Sequence, residues 1–370
     1  MVARPQGPET PSLIMPQYSE KLLSHARQIA LSPVWLGQLL TGAKSFHDNP
    51  IMGSRRLNEL GLHATRVQLA HTLARARRRR LTHLISDADR LAFERDGFVM
   101  RPNFLPADQF AALVAQVKAY RGPARETIQG DAVTRRIPFD GALLTRLPAG
   151  RRLLENPEWR GLIRYIGSAD AEPITYIQTI LSHRVQGWPD PQLELHSDAF
   201  HPSVKAWLFL TDVAEDDGPF VYVPGSHRLT EKRLAWERAI SIGVDARGDY
   251  EDHDRLTRRG SFRIGEETLA ALDLPPPRRC AVPANTLIVA DMFGFHARGA
   301  SAQPTVRVEI WAYGRRSPFL PWAGLDVWSI PALAERRARW FWSASDMIEA
   351  AGGKKNVWER RADVTAFDPA

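Results

Sequence analysis

Short apolar runs separated by turns fill the second half of the chain, and they constrain its fold more than any other feature. After Pro173 these runs are rich in β-branched and aromatic residues, and glycine, proline or aspartate separates them, as is typical of β-strands. Many short strands joined by such turns predict a β-barrel or a jelly roll. The predicted strands are Ile174 to Leu181, Leu193 to His196, Val204 to Thr211, Phe220 to Val223, Thr286 to Asp291 and Val306 to Tyr313.

Helical patterns lie on the amino-terminal side of these strands. Tyr18 to Gly42 has apolar residues at helical spacing, and a longer helix is predicted over Ala64 to Ile85. Closer to the strands, Asp87 to Arg95 and Gln109 to Tyr120 also have helical patterns, and the short strand Phe98 to Met100 is predicted between them.

Composition divides the chain into three predicted regions. Residues 1–88 are expected to form a helical N-terminal extension, residues 89–320 the β-rich core, and residues 321–370 a helical tail rich in tryptophan. Within the core, a charged insertion over about 230–277 is expected to pack over one mouth of the barrel. The tail contains a predicted helix, Ile330 to Phe341, and is expected to pack on the core. The predicted class is α+β, mainly β, with helices at both ends.

The overall composition is that of a globular protein with a positive net charge. Hydrophobic residues make up 44% of the chain and charged residues 25%, and the formal net charge is +7. The charge favours anionic partners: nucleic acid, an acidic membrane surface or an acidic substrate. The single cysteine, Cys280, excludes an intrachain disulfide. Because Met1 to Ser19 has no apolar segment typical of secretory signals, we expect a cytoplasmic protein.

The predicted helix Ala64 to Ile85 contains a run of arginines. Such a run is usually a solvated helix face. The alternative is a surface for anionic lipid, because each basic residue near an acidic bilayer adds roughly 1 kcal/mol of binding free energy. No helix-turn-helix, zinc-finger or RNA-recognition signature accompanies the run, so nucleic acid is not expected as a partner. The arginines are Arg75, Arg77, Arg78, Arg79 and Arg80.

The strongest chemical signal is the pair His196 and Asp198. In the predicted strand that ends at His196, alternate residues point to one side, so an imidazole and a carboxylate two residues apart can bind one metal ion. A third ligand must come from elsewhere, and His296 is the candidate. Two histidines and one carboxylate that leave coordination positions open are typical of non-haem Fe(II) oxygenases. Because His-x-Asp alone is a weak signal, the prediction depends on the motifs that accompany it.

Several motifs accompany the ligand pair in a fixed order. They are Phe93-x-x-Asp96-Gly97-Phe98, His196-Ser197-Asp198, Lys205-Ala206-Trp207-Leu208-Phe209-Leu210, Asp217 to Arg228 with its Pro-Gly-Ser-His turn, and finally His296 with Arg307. In combination these motifs resemble the phytanoyl-CoA dioxygenase family. The resemblance extends over about residues 89–315 and leaves the first 88 residues and the Trp-rich tail unexplained.

The resemblance implies a double-stranded β-helix, a cupin-like jelly roll that binds Fe(II) and 2-oxoglutarate and consumes O₂. His196, Asp198 and His296 match the metal ligands of that family. Arg307 matches the arginine that pairs with the distal carboxylate of 2-oxoglutarate, and Trp207 matches an aromatic residue that lines the co-substrate pocket. Because related halogenases lack the carboxylate ligand, Asp198 favours hydroxylation, desaturation or epimerisation.

The two alternating faces of the last predicted strand support an anion-binding role for Arg307 independently of the resemblance. An arginine that points into a barrel beside aromatic residues needs an anionic partner, because an unpaired buried charge is costly. A carboxylate accepts both arms of its guanidinium group. The alternative partner is Glu309, two residues further along the strand. The apolar face consists of Val306, Val308, Ile310 and Ala312, and the opposite face of Arg307, Glu309, Trp311 and Tyr313.

Other residues are weaker candidates for the substrate site or the anion site. Arg298 and Arg315 are alternatives to Arg307, whereas His227 and Asp291 are expected to have structural roles in turns. The candidates for contact with substrate are His183, Arg184, His201, Trp311 and Tyr313.

Together these features predict an Fe(II)- and 2-oxoglutarate-dependent dioxygenase. It would oxidise an unactivated C–H bond of a small molecule, with release of succinate and CO₂, and the positive charge favours an anionic substrate. A barrel metalloenzyme that does not use 2-oxoglutarate is one alternative, which the position of Arg307 disfavours. The other is a non-catalytic binding protein that interacts through its basic helix, for which the loss of a ligand residue would be the expected mark.

Overall fold

The computed structural model describes residues 32–185, 190–244 and 252–369, the last range without the side chains of residues 252–254. Most of the predicted helix Tyr18 to Gly42 therefore lies outside the described residues, and its described part is the helix α1 over residues 32–39. Part of the predicted insertion, residues 245–251, lies outside them as well.

Two antiparallel sheets form the centre of the fold. Their strands, in chain order, are β1 (Phe98–Arg101), β2 (Gly122–Gln129), β3 (Ala132–Pro138), β4 (Ile174–Leu181), β5 (Val204–Phe209), β6 (Phe220–Tyr222), β7 (Arg278–Cys280), β8 (Leu287–Asp291), β9 (His296–Arg298), β10 (Val306–Gly314) and β11 (Glu359–Val364). Among the described residues, the larger sheet has eight strands in the order β1-β8-β5-β10-β4-β3-β2-β11, and the smaller has three in the order β7-β6-β9.

The inner faces of the two sheets share one hydrophobic cluster. Tyr176, Trp207 and Trp311 come from the larger sheet, and Phe220 and Tyr222 from the smaller. Two facing antiparallel sheets form a jelly roll, which is the architecture predicted from the strand pattern. The α+β class with a double-stranded β-helix core is therefore confirmed.

Helices flank the two sheets in the described part of the chain. After α1 they are α2 (Arg55–Glu59), α3 (Leu62–Leu81), α4 (Asp87–Asp96), α5 (Ala107–Ala119), α6 (Gly141–Arg146), α7 (Pro148–Glu155), α8 (Pro157–Ile166), α9 (Glu231–Gly243), α10 (Asp252–Arg258), α11 (Glu266–Ala271) and α12 (Pro331–Ala350). Apolar residues of α5 to α8 share a second cluster with residues of β8 and β10. In the described ranges no helix is both long enough and apolar enough to span a membrane.

Strand β10 has the two faces that its sequence predicts. Val308 and Ile310 pack in the cluster under the helices, whereas Trp311 packs in the cluster between the sheets. The alternation holds because successive side chains of a strand point to opposite faces. As a result Arg307 and Tyr313 face the interior of the jelly roll, where they line a cavity.

The predicted strand Leu193 to His196 is wrong. A turn begins at Asp190, whose carbonyl and carboxylate accept hydrogen bonds from backbone N–H groups further along. Pro191 inside this turn has no N–H to donate, which disfavours regular pairing. Within this stretch only His196 pairs like a strand residue, through isolated bridges that include one to His296.

The hairpin formed by β2 and β3 has no counterpart among the predicted strands. Arginine, glutamate and threonine occupy buried positions in it, so the apolar alternation that marks other strands is missing. The charges are paired inside the fold: Arg135 Nε lies 2.6 Å from Glu126 Oε1, and Arg361 Nε of β11 lies 2.6 Å from Glu126 Oε2. A buried glutamate is tolerated here because both of its oxygens accept charged hydrogen bonds.

The Trp-rich tail was predicted to be helical, but it also contains a strand. Its helix α12 is longer than the predicted Ile330 to Phe341, and β11 adds an edge strand to the larger sheet beside β2. Trp342 of α12 stacks on Tyr176, with ring centroids 5.9 Å apart. Asp346 accepts from Arg125 of β2 and, at 2.6 Å, from Arg360 of β11. The tail therefore packs on the edge of the sheet through aromatic and ionic contacts.

The arginine run in α3 does not form one solvated face. Arg77 is 4% exposed and donates to the carbonyls of Ser168, Pro318 and Leu320. Arg78 is also directed inward, and its Nη2 lies 2.8 Å from Asp291 Oδ2. Both interpretations of the run, as a solvated face or as a lipid-binding surface, therefore apply at most to the exposed arginines, which are Arg75, Arg79 and Arg80.

The replacement Arg77→Met should destabilise the fold by about 3 kcal/mol, because it leaves buried carbonyl groups without hydrogen-bond donors. Chemical denaturation followed by circular dichroism measures this loss. The matched control is Arg79→Met in the same helix, which removes the same charge from an exposed position and should change the free energy of unfolding by only about 0.5 kcal/mol. Equal effects of the two replacements would contradict the structural role of Arg77.

Candidate metal centre and its cavity

Three predicted ligand residues meet at one point between the sheets. His196, Asp198 and His296 each offer one ligand atom, and these atoms lie within 4.8 Å of one another. Asp198 Oδ1 is 3.6 Å from Nε2 of each histidine. The 3.6 Å separations between Asp198 Oδ1 and the two Nε2 atoms suit a single metal ion bound at about 2.1 Å, because two such bonds span up to about twice that length.

The tautomer of both histidines suits metal binding. Nδ1 of His196 lies 2.7 Å from the carbonyl of Glu194, and Nδ1 of His296 lies 2.9 Å from the carbonyl of Gly294. These contacts place the ring proton on Nδ1 and direct the lone pair of Nε2 towards Asp198. Within the described part of the chain, Nε2 of His296 is buried and has no hydrogen-bond partner. A buried lone pair without a hydrogen-bond partner is available to bind a metal ion.

Burial and charge set the protonation states of the ligands. Burial, with a further effect of His296, lowers the pKa of His196 to about 3, so this imidazole is neutral at physiological pH. Burial by itself would raise the pKa of Asp198, but Lys205 and the histidines outweigh it and hold this pKa well below the usual value. A neutral imidazole and an ionised carboxylate are the forms in which His196 and Asp198 can bind a divalent metal.

Backbone pairing holds the two histidines together. The N–H of each donates to the carbonyl of the other, at 2.9 Å in both directions. Asp198 is fixed separately, since its N–H donates to the carbonyl of Met292 at 3.0 Å. The predicted insertion contributes as well, because Ser197 donates to the carbonyl of Phe262. The ligand segments are therefore connected through main-chain hydrogen bonds rather than through side chains alone.

Two lysines surround Asp198. Lys205 Nζ lies 2.6 Å from Asp198 Oδ2, the oxygen other than the one that faces the histidines. Lys44 Nζ lies 2.5 Å from the backbone carbonyl of Asp198. Arg66 of α3 fixes the loop that contains Lys44, by donating to the carbonyl of Ala43 at 2.8 Å. The N-terminal region thus reaches the metal centre.

A cavity of about 560 Å³ adjoins the ligand cluster. Among the described residues that line it, Asp198 is the only acidic one. Its cationic residues are Lys44, Arg136, Lys205, Arg298, Arg307 and Arg315. Its aromatic residues are Tyr176, Trp207, Phe209, Phe220, Trp311, Tyr313, Phe341 and Trp358. The cavity is therefore suited to anionic molecules with an apolar part.

Arg307 lies in this cavity and is paired with a neighbour. Its Nε lies 3.0 Å from Glu309 Oε2, and its Nη1 donates to the carbonyl of Gly218. The internal partner that the sequence left as the alternative is thus present. Glu309 in turn accepts from Gln178 Nε2 at 2.6 Å. Trp207, the predicted co-substrate wall, also lines the cavity, and its ring lies 4.6 Å from that of Phe220.

The structure brings only some of the predicted substrate residues to the cavity. Trp311 and Tyr313 line it. His183 instead contacts the carbonyl of Ser301 at 2.8 Å, and Arg184 is exposed outside the lining. His201 is buried away from the lining, and its Nδ1 lies 2.9 Å from the carbonyl of Pro202.

Several cavity residues were not predicted from the sequence. Lys205 could have been found, because it lies two residues before Trp207 on β5 and shares its face. Arg136 lies in the hairpin whose strands have no apolar pattern, and Lys44 and Trp358 lie in segments far from the motifs. No local signal in the sequence indicates that these three residues meet at one cavity.

The family model of phytanoyl-CoA dioxygenase (PhyH) matches residues 93–256. The matched segment covers less than half of the 370-residue chain. The match includes His196 and Asp198 and ends before His296 and Arg307, so the matched segment supplies only part of the candidate site. The remaining residues are brought to it by β9 and β10.

Two proteins similar to this chain are ectoine dioxygenases. That of Bordetella parapertussis is 32% identical over 154 residues, which span 37% of this chain and 48% of the relative. That of Stutzerimonas stutzeri is 23% identical over 238 residues, which span 59% of this chain and 73% of the relative. The chain thus spans about half the length of the first of these relatives.

Solved structures with a partial likeness include enzymes that use 2-oxoglutarate. The α-ketoglutarate-dependent epimerase SnoN from nogalamycin biosynthesis has 21% identity and a TM-score of 0.41, over 63% of this chain and 82% of its own. HygX from Streptomyces hygroscopicus, with nickel, 2-oxoglutarate and hygromycin B bound, has 15% identity and a TM-score of 0.38. The likeness covers 62% of this chain and 87% of HygX. At these scores the likeness is too small to support an argument about function.

Proposed function

We propose that this chain is a 2-oxoglutarate-dependent dioxygenase in which His196, Asp198 and His296 hold Fe(II). The observation that supports this most is the convergence of three ligand atoms on one point, with the buried Nε2 of His296 lacking any other partner among the described residues. Two imidazoles and one carboxylate leave positions for a chelating co-substrate and O₂. The PhyH match over residues 93–256 supports the same activity.

The bound iron and co-substrate would supply the oxidising chemistry, in which O₂ and 2-oxoglutarate are consumed, succinate and CO₂ are released, and a C–H bond of the substrate is oxidised. The protein orients the ligands. Because Lys205 occupies Oδ2 of Asp198, it leaves Oδ1 as the oxygen directed at the metal. The aromatic residues of the cavity would limit the access of water to the reacting centre.

Arg307 remains our candidate for the anchor of 2-oxoglutarate. It lines the same cavity as Asp198 and His296, and Trp207 lies on the neighbouring strand β5. Its Nε and Nη1 have acceptors in the protein, whereas Nη2 has none among the described residues. A carboxylate that enters the cavity would therefore find one guanidinium nitrogen available and could displace the carbonyl of Gly218 from the second.

The substrate is proposed to be a small molecule. The similar proteins are ectoine dioxygenases, and a cavity of about 560 Å³ suits a ligand of modest size. The ligand carboxylate Asp198 is present, which favours hydroxylation, desaturation or epimerisation over halogenation. We also propose that the protein is cytoplasmic.

Anaerobic addition of 2-oxoglutarate to the Fe(II)-loaded protein should produce the weak visible charge-transfer band of the chelate. This band requires that metal and co-substrate meet in one site, so it tests the proposed function directly. The control is the same titration with succinate, which cannot chelate through a 2-oxo group and should give no band. Stoichiometric iron without a band would favour a barrel metalloenzyme that does not use 2-oxoglutarate. Failure to bind iron would favour a non-catalytic binding protein.

A further inference from the structure

Arg136 of β3 differs from three other cations of the cavity, which have carboxylate partners, and from Lys44 and Arg315, which donate to backbone carbonyls. Lys205 pairs with Asp198 at 2.6 Å, Arg298 with Asp190 at 2.6 Å and Arg307 with Glu309 at 3.0 Å. Within the described residues, Arg136 has no carboxylate within ion-pair distance; its hydrogen-bond acceptor is Oε1 of Gln178, 2.8 Å from its Nε. Arg136 is thus a charged group that faces a cavity without a counter-ion.

We propose that Arg136 binds an oxyanion of the substrate, so that the substrate class is a carboxylate or phosphate attached to an apolar, ring-containing body. This inference rests on the proposed function, since it takes the cavity beside the ligand cluster as the substrate site. It assigns the two anions of the reaction to different arginines, 2-oxoglutarate to Arg307 and substrate to Arg136.

The guanidinium group of Arg136 is held in one orientation. Aromatic rings lie against it, with centroid distances of 4.0 Å to Trp311, 4.7 Å to Trp358 and 5.4 Å to Tyr176. Rings packed on the plane of a guanidinium group leave its N–H edge available. Its Nε is committed to Gln178, and its two terminal nitrogens have no acceptor among the described residues. These nitrogens form the fork that a carboxylate or phosphate accepts.

A row of hydrogen bonds connects the two arginines across three strands. Arg136 donates to Gln178 of β4, Gln178 donates to Glu309 of β10 at 2.6 Å, and Glu309 accepts from Arg307. The register places Arg136 opposite Gln178 and Gln178 opposite Glu309. The row therefore contains two cations and one carboxylate, which leaves it with an excess positive charge. That excess favours the binding of a second anion besides 2-oxoglutarate.

The protonation of Arg136 is compatible with this role. Burial lowers its pKa to about 10, with Tyr176 and Glu309 acting in the opposite direction. The side chain therefore remains a cation at physiological pH, although removing it from water is costly. An oxyanion that binds beside it compensates this cost.

The Trp-rich tail completes this end of the cavity. Trp358 lies directly before β11, and its carbonyl accepts from Arg125 Nη1 at 3.0 Å while its N–H donates to Asn356 at 3.1 Å. Phe341 of α12 lines the same cavity. The family match ends before the tail. The aromatic residues of the tail would pack on the apolar body of the substrate while Arg136 holds its charge.

Benzoate, phenyl phosphate and the uncharged benzamide are suitable probes, because they share a ring and differ in charge. They are titrated into the full chain loaded with Mn(II) and 2-oxoglutarate, so that the metal and Arg307 are occupied, and tryptophan fluorescence is followed. We expect at least one of the two anions to bind with a Kd of about 1 mM or tighter and benzamide to bind at least about tenfold more weakly. The anion that binds more tightly identifies the oxyanion as carboxylate or phosphate.

The decisive variant is Arg136→Gln, in which anion binding should weaken at least about tenfold, down to the level of benzamide. The matched control is Arg79→Gln, which removes the same charge from an exposed position outside this cavity and should change the Kd less than about threefold. If Arg136→Gln does not fold, Arg136→Lys keeps the charge but not the fork, and should weaken binding by a smaller factor.

Absence of anion binding to the unmodified protein would overturn the inference, and so would equal binding in Arg136→Gln. The chelate band of Fe(II) and 2-oxoglutarate separates this failure from a failure of the proposed function. A normal band in Arg136→Gln together with lost benzoate or phenyl phosphate binding supports both proposals. A missing band in the unmodified protein would remove the dioxygenase function, whereas the titration would still report whether Arg136 binds an anion.

Discussion

Replacing Asp198 with alanine should abolish iron binding and the formation of succinate from 2-oxoglutarate. Asp198 is the one anionic ligand of the proposed centre, and Lys205 and Lys44 contact it from other sides. Without the carboxylate, a divalent cation would meet two imidazoles and two neighbouring lysines. We expect the affinity for Fe(II) to fall by more than about 100-fold, the upper range seen when partners outside the ligand shell are removed.

Iron content after dialysis and succinate production under saturating Fe(II) measure the effect of Asp198→Ala. The matched control is Ser197→Ala, which changes the residue between the two ligands and leaves the carboxylate in place. A melting curve of the metal-free variant is also needed, since Lys205 loses its ion pair. Full retention of succinate production in a folded Asp198→Ala protein would refute the ligand assignment.

The second large effect is expected at the pair Arg307 and Glu309. The side chain of Glu309 is fully buried, so Arg307→Met leaves an uncompensated carboxylate in the interior. Breaking a buried ion pair in this way costs about 3–5 kcal/mol of folding free energy. The same replacement should abolish the chelate band at ordinary 2-oxoglutarate concentrations, because the distal carboxylate loses its anchor.

The double replacement Arg307→Met with Glu309→Gln separates these two consequences. The glutamine is neutral and its amide oxygen can still accept from Gln178, so most of the lost stability should return. Binding of 2-oxoglutarate should not return, because the guanidinium group is still absent. Denaturation curves and the anaerobic titration, performed on both variants, measure the two quantities. A double variant that is stable and also shows the normal band would exclude Arg307 as the anchor.

The ligand cluster and the pocket face of β10 could be predicted from the sequence because both depend on local rules. Side chains that alternate along a strand define which residues share a face, and this rule placed Arg307, Trp311 and Tyr313 together. The cluster of His196, Asp198 and His296 could be predicted because the order of the motifs resembles a known family. Its geometric basis was partly wrong, since His196 lies in an isolated bridge rather than in a regular strand.

The end of the cavity around Arg136 could not be predicted, because the strands that form it have polar side chains at buried positions. The hairpin β2–β3 is stabilised by ion pairs such as Arg135 with Glu126, and such pairs leave no apolar period in the sequence. Likewise, Trp358 reaches the cavity through contacts with Arg125 that join residues far apart in the chain. The inward direction of Arg77 and Arg78 was hidden for the same reason, since their acceptors are distant carbonyl and carboxylate groups.

The reciprocal backbone pairing of His196 and His296 has a consequence for the choice of metal. Because main-chain hydrogen bonds set the separation of these residues, the donor atoms are preorganised before any ion arrives. A chelator should then remove the ion without unfolding the protein, since the ion adds stability only by mass action. A preformed set of two imidazoles and one carboxylate also accepts several divalent ions in the general order of their affinities. The supply of metal in the surroundings, rather than the rigidity of the site, would then decide which ion occupies it.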